Sequence, residues 1–558
     1  MRGALCRTST EQRTAPGERI VKVFDTLSDA KAQRSTGFFF DLVLLAAIAL
    51  TFEGGRFSIR HGRAIVCADS MQYLDGADAI LDGESSPVFA FRKPGYAFFL
   101  SGISAGLGPE GWKIVLVQHL LHATLALLAY LTARTLGTGR GGAWAAGLMT
   151  VAAVGQLVWA DRIMSETLYA VLMTGGLLCG LRALRDEAKA ARAWWGAGAL
   201  LALAWMTRSS ATAVLAATAA TAFVSLRRTP RRALQACTAL MLPVTAALVF
   251  ECGLNLAGAG EFRPCTGTLG PMMLMRTRAM EGQGAPETPA AARCAALLPE
   301  RRAEDAFRAH PLDVWIARHR AITEARLSEW DADALFRDAA LAGIRANPGS
   351  YLTTTAILSG AHLARLSSTR LEAALPEVER LPMIAAPNAA GSPSAGDPWY
   401  LAWALPHRTR TDAIALSIRL RSFEEQRAAV TSHDPLTTLR YFVMHPLTEG
   451  VLQFLRIPGR FLLPPLALAG CWLLGARRKP LVLLAAAGLA DALLVGLTGS
   501  SLDAVARFQA VWAATDAALA ATCLTLAARR VAGVVTLRPA QAPGFIPSVE
   551  RPIQNPVG

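Results

Sequence analysis

The feature that most constrains this chain is a series of apolar runs, each close to the length that crosses a lipid bilayer. A helix needs roughly 20 consecutive, mostly apolar residues to cross the hydrocarbon core. Hydrophobic residues make up 53% of the 558 residues and charged residues 18%, and the charges gather between the apolar runs. We predict about ten spans, over residues 37–52, 112–134, 142–160, 164–182, 193–207, 209–226, 234–256, 457–475, 480–498 and 507–528. The chain is therefore predicted to be an all-α polytopic membrane protein.

The formal net charge of +14 comes largely from basic clusters that lie beside apolar runs. The main clusters fall within residues 182–192, 227–232 and 477–479. Lys and Arg concentrate in the cytoplasmic loops of membrane proteins, so these clusters predict the cytoplasmic side, and both termini fall on that side too. The pattern differs from a basic surface that binds nucleic acid, and we expect no nucleic-acid partner.

The predicted topology divides the chain into five parts. They are a cytoplasmic N-terminal segment (1–36), an N-terminal transmembrane module (37–256) with a first outer loop (53–111), an outer domain (257–456), C-terminal transmembrane helices (457–528) and a cytoplasmic tail (529–558). The outer domain is too long for a simple connection and is expected to be mostly helical. Ser328 is placed to cap a helix that Pro348 ends. Residues 412–430 form an amphipathic stretch, which suits either an interfacial helix or a buried one.

Cysteine spacing and the absence of two common motifs narrow the chemistry. The nine cysteines show no CxxC spacing, so neither a zinc site nor a thioredoxin-type motif is indicated. Cys265 and Cys294 share the outer domain, where a disulfide is allowed but not required. The sequence contains no GxxxxGK[ST] phosphate loop and no HExxH. We therefore expect an activated substrate or a gradient, rather than ATP bound to this chain, to drive any reaction.

The first outer loop carries the strongest motif in the sequence. Its residues follow the order D-x3-Y-x3-A-x3-L-x-G and then R-x-P-G-Y, formed by Asp69, Tyr73, Ala77, Leu81, Gly83, Arg92, Pro94, Gly95 and Tyr96. This order resembles the first outer loop of the GT-C integral-membrane glycosyltransferases. The similar branch includes the dolichyl-phosphate-mannose protein mannosyltransferases of glycosyltransferase family 39, the lipid A aminoarabinose transferases and the RgtA/B/C/D-like bacterial enzymes.

Four further elements extend the resemblance along most of residues 37–528. They are Met164-Ser-Glu166-Thr-Leu168, Thr207-Arg208, Asn347-Pro348-x-x-Tyr351-Leu352 and Arg507-Phe508. These segments resemble the family's (T/S)E-x-L, TR-P and NP-x-x-YL elements and its Arg-Tyr pair. The chain departs from the family pattern at Lys93, Ala97 and Ser209.

The resemblance implies a GT-C-like helix bundle with juxtamembrane helices and an outer-face helical domain. It implies transfer of a sugar from a polyprenyl-phosphate donor, with inversion, to a hydroxyl of a lipid, polysaccharide or protein acceptor. The implied location is the bacterial inner membrane, among membrane lipids, with the active site on the periplasmic face. A divalent cation is compatible with this reading, but no residue pattern requires one.

The chemistry of such a transfer predicts which residue types the site needs. A carboxylate must take the proton of the attacking hydroxyl, a contribution of roughly 10² to 10⁴ in rate. We assign this role to Asp69, with Glu166 as the second catalytic carboxylate and Tyr73 as acceptor contact or support. The departing phosphate gains negative charge, which cationic and hydrogen-bonding side chains stabilise. The predicted donor-binding residues are Arg92, Lys93, Tyr96, Arg162, Arg208 and Arg507.

Structural roles compete with these assignments. Asp69 is also suited to cap the helix it opens, and the arginines are suited to anchor span ends at the interface. Glu166 begins an apolar span, where a charge that is neither paired nor hydrated is costly, so either a functional role or a partner such as Arg162 is expected. The histidines His119 and His122 are expected to pack or lie at the interface rather than to bind a metal. The acids within later spans, Asp491 and Asp516, suit interhelical polar contacts.

Two other functions fit a chain of this kind. A transporter or lipid flippase also needs many spans and charged residues inside them. Paired repeats and helices broken at the midplane are common in transporters, and neither is evident in this sequence. A GT-C-like assembly protein that has lost its activity would keep the same scaffold.

Overall fold

The computed structural model describes residues 16–59, 68–152, 159–186, 189–278, 288–298, 311–364, 478–498 and 511–536, together with Ala64 and Ala469. Side chains of α1 are described from Gly37 onward. The α-helices with described bounds are α1 (Pro16–Ile59), α2 (Ala68–Leu81), α3 (Gly95–Leu107), α4 (Gly111–Leu136), α5 (Arg140–Val151), α6 (Glu166–Arg185), α7 (Ala190–Thr207), α8 (Ala211–Leu226), α9 (Pro230–Ala259), α10 (Leu269–Arg278), α11 (Pro289–Leu297), α12 (Pro311–Thr323), α13 (Glu329–Ala346), α14 (Pro348–Ala364), α15 (Arg478–Thr498) and α16 (Ala513–Thr536). A 3₁₀ turn, Pro87–Ala90, lies between α2 and α3.

The predicted all-α membrane class is confirmed. Within the described ranges, four helices are long and apolar enough to cross a membrane: Gly37–Ser58 in α1, then α4, α6 and α9. Three shorter apolar helices are α3, α8 and Pro480–Val495 within α15. The predicted run 457–475 lies almost wholly outside the described residues, and the run 142–160 corresponds to α5, which ends at Val151. The chain is an integral membrane protein.

Small residues allow the bundle helices to approach closely. A Cβ on Gly198 of α7 would lie 2.0 Å from the carbonyl oxygen of Ala239 in α9. A Cβ on Gly176 of α6 would lie 2.8 Å from Leu201 of α7. Such contacts are typical of membrane helices, which associate by close packing rather than by the hydrophobic effect. The largest buried cluster therefore centres on α4, α6, α7 and α9 and includes Tyr130 and Tyr169.

Acidic residues within the apolar helices have polar partners. The carboxylate of Asp41 in α1 accepts hydrogen bonds from Arg140 at 2.6 Å and from Tyr130 at 3.0 Å. Asp491 accepts a hydrogen bond of 2.7 Å from the indole of Trp512, which confirms the interhelical contact predicted for it. Asp516 lies in the first turn of α16. Pairing of this kind offsets the cost of placing a carboxylate in an apolar bundle.

Helices α10 to α13 pack around the buried ring of Phe336 and form a small helical unit within the predicted outer domain. The predicted cap is confirmed, because the Ser328 hydroxyl accepts a hydrogen bond of 3.2 Å from the amide of Asp331. Helix α13 ends at Ala346, and Pro348 begins the next helix, α14. The amphipathic stretch 412–430 lies outside the described residues.

The two cysteines of the predicted outer domain are not paired. Cys265 and Cys294 are both free thiols, so the disulfide that the sequence left open does not form. Cys294 is buried among the apolar side chains around Phe336. Burial raises the pKa of the Cys265 thiol to about 12, so this cysteine stays protonated at neutral pH. A protonated thiol is a poor nucleophile.

Candidate active site

Two ion pairs form the candidate site, and the first joins α2 to the loop before α3. Asp69 lies in the first turn of α2, and its carboxylate is paired with the guanidinium of Arg92. The same guanidinium donates a 2.5 Å hydrogen bond to the side-chain oxygen of Gln72. Asp69 and Gln72 are three residues apart and therefore share one face of the helix. The arginine of the R-x-P-G-Y motif is thus held by one face of α2.

The second ion pair joins the start of α6 to the end of α7. Glu166 is the first residue of α6, and its carboxylate lies 2.8 Å from the guanidinium of Arg208. Arg208 also donates a 3.3 Å hydrogen bond to the hydroxyl of Ser165. The sequence offered Arg162 as an example of a partner for Glu166, and in the structure the arginine paired with Glu166 is Arg208. Arg208 follows the last residue of α7, and the packing of α6 against α7 brings it to Glu166.

Tyr73 connects the two ion pairs. Its hydroxyl lies 3.4 Å from the hydroxyl of Ser165, which in turn contacts Arg208. Its ring faces the guanidinium of Arg92 at 5.9 Å. Tyr73 lies about one turn along α2 from Asp69. It therefore sits between the pair Asp69/Arg92 and the pair Glu166/Arg208.

A glycine sets the position of the loop that carries Arg92. Gly95 begins α3, and a Cβ there would lie 2.7 Å from the backbone carbon of Met206 and 2.9 Å from the backbone nitrogen of Thr207. Only a residue without a side chain allows this approach. The N-terminus of α3 therefore lies against the C-terminus of α7, next to Arg208. The glycine of R-x-P-G-Y thus brings two motifs together that are far apart in the sequence.

The side chain of Lys93 points away from these two pairs into the bundle. Its ammonium is 2.8 Å from the carboxylate of Glu251 in α9 and 3.3 Å from the ring centroid of Trp205. Lys93 and Glu251 are both buried. Glu251 also accepts a hydrogen bond of 2.7 Å from the backbone amide of Cys265. Lys93 therefore fixes the loop to α7 and α9.

Tyr96 lies behind Tyr73 and is fully buried. The two rings meet edge to face, with centroids 4.9 Å apart. The Tyr96 hydroxyl donates a 2.8 Å hydrogen bond to the side-chain oxygen of Gln118 in α4. The Gln118 amide nitrogen donates to the carbonyls of Ala160 and Arg162 at 3.0 and 2.7 Å. Arg162 stacks on Trp159, with its guanidinium carbon 4.7 Å from the ring centroid.

Solvent exposure separates the two carboxylates. The Asp69 side chain is 20% exposed, while that of Glu166 is 2% exposed. The guanidinium partners Arg92 and Arg208 are 17% and 14% exposed. A ligand can therefore reach Asp69, Arg92 and Arg208, whereas Glu166 supports Arg208 from inside.

A second polar cluster lies next to this site. Glu53 and Arg56 of α1, His119 and His122 of α4, and Asp161 contact one another, and all five side chains are mostly buried. The sequence predicted that the two histidines pack or lie at the interface; in the structure their ring nitrogens contact the carboxylates of Glu53 and Asp161. No group of three or more His, Cys, Asp or Glu side chains in the described ranges is placed to hold a metal ion.

The structure brings together most of the residues predicted for the site: Asp69, Tyr73, Arg92, Tyr96, Glu166 and Arg208. Arg507 lies outside the described residues. Sequence reasoning missed Gln72, Gln118 and Glu251. A sequence signal existed for Glu251 and Gln118, since each is a polar residue inside an apolar run of bilayer length.

Comparisons with known proteins agree with the motif analysis over part of the chain. Residues 91–251 match the family model described as dolichyl-phosphate-mannose-protein mannosyltransferase. No match is found among curated proteins. A similar solved structure is ArnT from Cupriavidus metallidurans bound to undecaprenyl phosphate, at 13% identity and a TM-score of 0.31, covering 88% of this chain and 79% of that one. The family match spans the segment from Phe91 to Glu251, which contains R-x-P-G-Y, Glu166 and Arg208. The resemblance to GT-C glycosyltransferases predicted from the motifs is therefore confirmed for residues 91–251.

Proposed function

We propose that this chain is a membrane glycosyltransferase that moves a sugar from a polyprenyl-phosphate donor to an acceptor hydroxyl. The observation that supports this most is the convergence of two carboxylate–guanidinium pairs, Asp69/Arg92 and Glu166/Arg208, around Tyr73. Transfer from a glycosyl phosphate needs a carboxylate to accept a proton and cations to receive a phosphate. The family match over residues 91–251 supports the same reaction class and a lipid-phosphate donor.

The exposures of the carboxylates suggest separate roles for them. Asp69 is the more accessible acid and is the proposed general base. The acceptor oxygen forms a bond to the anomeric carbon while its proton passes to Asp69. The bond between the anomeric carbon and the phosphate oxygen breaks, and the polyprenyl phosphate leaves with the electron pair. A single displacement of this kind inverts the anomeric centre.

Arg92 and Arg208 are the proposed contacts for the donor phosphate. Each guanidinium now lies against a carboxylate, and each is partly exposed. A phosphate that binds to Arg92 competes with Asp69 for the same hydrogen-bond donors. Donor binding would therefore weaken the Asp69/Arg92 pair and leave Asp69 a stronger base, because a nearby cation stabilises the ionised carboxylate. Lys93 and Tyr96, which face Glu251 and Gln118, would position the loop rather than touch the lipid.

Binding of a polyprenyl phosphate tests this assignment before any assay of transfer. Arg92→Ala should weaken binding by about tenfold or more, since a charge-assisted contact contributes roughly 1.5–3 kcal/mol. Arg92→Lys should recover only part of the affinity because a point charge cannot replace a guanidinium fork. For Arg208 we use Lys alone, because Arg208→Ala would leave Glu166 buried without its cation.

The matched control is Arg263→Ala. Arg263 also pairs with an acid, Glu261, but it is 55% exposed and lies beyond the end of α9. The Arg263→Ala variant should bind the lipid phosphate with the same affinity as the unmodified protein. An unchanged affinity of Arg92→Ala for polyprenyl phosphate would show that Arg92 does not contact the donor. Lipid scrambling in liposomes without sugar transfer by the unmodified protein would favour the flippase alternative.

A further inference from the structure

The second polar cluster contains a histidine whose two ring nitrogens both face carboxylates. Nδ1 of His119 lies 2.5 Å from Oε2 of Glu53, and Nε2 lies 3.1 Å from Oδ1 of Asp161. The ring is 1% exposed. Ionised carboxylates only accept hydrogen bonds, so both ring nitrogens must donate. A ring that donates from both nitrogens is an imidazolium.

The charges that surround His119 favour this protonation state. Two acids and one arginine face it, and the Arg56 guanidinium lies 3.6 Å from both Glu53 and Asp161. His122 Nδ1 donates a 2.8 Å hydrogen bond to the other oxygen of Glu53. Pairing with two carboxylates offsets the cost of burying an imidazolium at His119.

Asp161 belongs to the short segment Trp159–Ser165 that leads into α6. Gln118, the neighbour of His119 in α4, holds the carbonyls of the residues on either side of Asp161. The side chains of Gln118 and His119 therefore contact three consecutive residues of this segment, 160–162. The segment ends at Ser165 and Glu166, which contact Tyr73 and Arg208.

We infer that His119, as an imidazolium bridge between Glu53 and Asp161, is a positioning residue for Ser165 and Glu166. The inference rests on the proposed function for its effect on transfer, but the bridge itself does not. Loss of the His119 proton removes one of its two hydrogen bonds, because a neutral imidazole donates from only one ring nitrogen. Alkaline pH should therefore loosen the segment that carries Ser165.

Hydrogen–deuterium exchange of the peptide that covers residues 159–165 measures this directly, with rates corrected for the intrinsic effect of pH. In the unmodified protein, exchange should become about tenfold faster when His119 loses its proton, since a hydrogen bond to a charged group is lost. The α7 peptide serves as an internal reference and should not change. Protection of residues 159–165 that stays constant as the pH is raised from about 6 to about 10, from below the ordinary histidine pKa to well above it, would overturn the bridge.

Two variants separate the two hydrogen bonds of His119. The amide nitrogen of Asn takes the place of Nδ1, so His119→Asn keeps the contact with Glu53 and loses the contact with Asp161. The amide nitrogen of Gln takes the place of Nε2, so His119→Gln keeps the contact with Asp161. Fast exchange at every pH is expected in His119→Asn and slow, pH-independent exchange in His119→Gln. The control is His122→Asn, whose amide preserves the contact with Glu53 and which should keep the wild-type pH dependence.

Transfer kinetics add a second readout. His119→Asn should lower kcat about tenfold and lower donor affinity less, because Glu166 and Arg208 shift while Arg92, the other proposed phosphate contact, stays in place. A donor affinity that falls as much as kcat would contradict a positioning role. Failure of the unmodified protein to transfer sugar would defeat the proposed function, while the exchange experiment would still decide whether the imidazolium bridge exists.

Discussion

At the scale of single residues, Gly95 determines whether the two arginine-bearing segments can meet. Gly95→Ala would place a Cβ 2.7 Å from the backbone of Met206, and backbone atoms cannot move aside as a flexible side chain can. Overpacking of this kind costs roughly 1–3 kcal/mol. We expect Gly95→Ala to lower both the thermal unfolding temperature and the affinity for polyprenyl phosphate. Both are measured on purified protein in detergent.

Gly102 provides the matched control in the same helix. A Cβ at Gly102 meets no atom within 4 Å, so Gly102→Ala should leave lipid binding unchanged and the unfolding temperature equal or slightly higher. Equal behaviour of the two variants would show that the approach of α3 to α7 does not control the site.

Some residues of the candidate site could be predicted from the sequence, whereas the pairings between them could not. Asp69, Tyr73 and Arg92 could be chosen because they stand in a motif with fixed spacing on one helix and its following loop. The pairing of Glu166 with Arg208 rather than with Arg162 could not be predicted from the sequence, since it depends on how α6 packs against α7. The pairing of Lys93 with Glu251 could not be predicted either, because a contact across 158 positions leaves no local pattern.

At the scale of elements, helix α12 contacts Phe91 in the loop that carries Arg92. The Arg318 guanidinium of α12 lies 4.4 Å from the Phe91 ring centroid and also pairs with Glu329 at the start of α13. The amide of Thr266 donates a 2.8 Å hydrogen bond to the carbonyl of Ala90. Phe91 directly precedes Arg92. The position of Arg92 therefore depends on α12 and on Thr266 as well as on α2.

Arg318→Ala tests this connection and gives a pH dependence of known sign. Burial raises the pKa of Glu329, and Arg318 opposes that shift. Without Arg318 the pKa should rise further, so the folded protein binds a proton more readily than the unfolded one. The loss of stability should therefore be largest at pH values above this raised pKa and should shrink as the pH falls toward the ordinary value for glutamate. Thermal unfolding measured across pH checks it.

The control for this prediction is Arg320→Ala on the same helix. Arg320 is 35% exposed, and its partner Glu324 is 68% exposed, so the pair contributes little to stability. A stability loss in Arg318→Ala that does not change with pH, or one equal to that of Arg320→Ala, would contradict the proposed coupling.

At the scale of the whole molecule, the orientation in the membrane stays a prediction. Helix α9 runs from Pro230 to Ala259, which is long enough to cross a bilayer with its ends on opposite sides. Cysteine introduced at Arg263 in a cysteine-free background should react with a membrane-impermeant thiol reagent from outside. Cysteine at Arg231 or Arg478 should not, because basic clusters mark the cytoplasmic side. External labelling at Arg231 would reverse the orientation.

The general architecture could be predicted because bilayer crossing imposes a length and a composition that any sequence must show. The long helices α1, α4, α6 and α9 carry that signal. Helix α3 does not, since its 13 residues are too few for a span and it lies inside the predicted outer loop. Its position depends on Gly95 and on contacts with α7, which no periodicity reveals. Helix α5 ends at Val151, inside the predicted run 142–160, and the apolar composition of that run gave no sign of this end.

The central claim is that Asp69 accepts the proton of the acceptor hydroxyl. The most direct test is transfer of a labelled sugar from a polyprenyl-phosphate donor by purified protein in nanodiscs. Asp69→Asn keeps the size of the side chain but cannot accept the proton, so turnover should fall by roughly 10² or more while the protein stays folded and binds donor. Glu166→Gln is the comparison, and it should impair turnover through Arg208. Full transfer activity in Asp69→Asn would contradict the assignment.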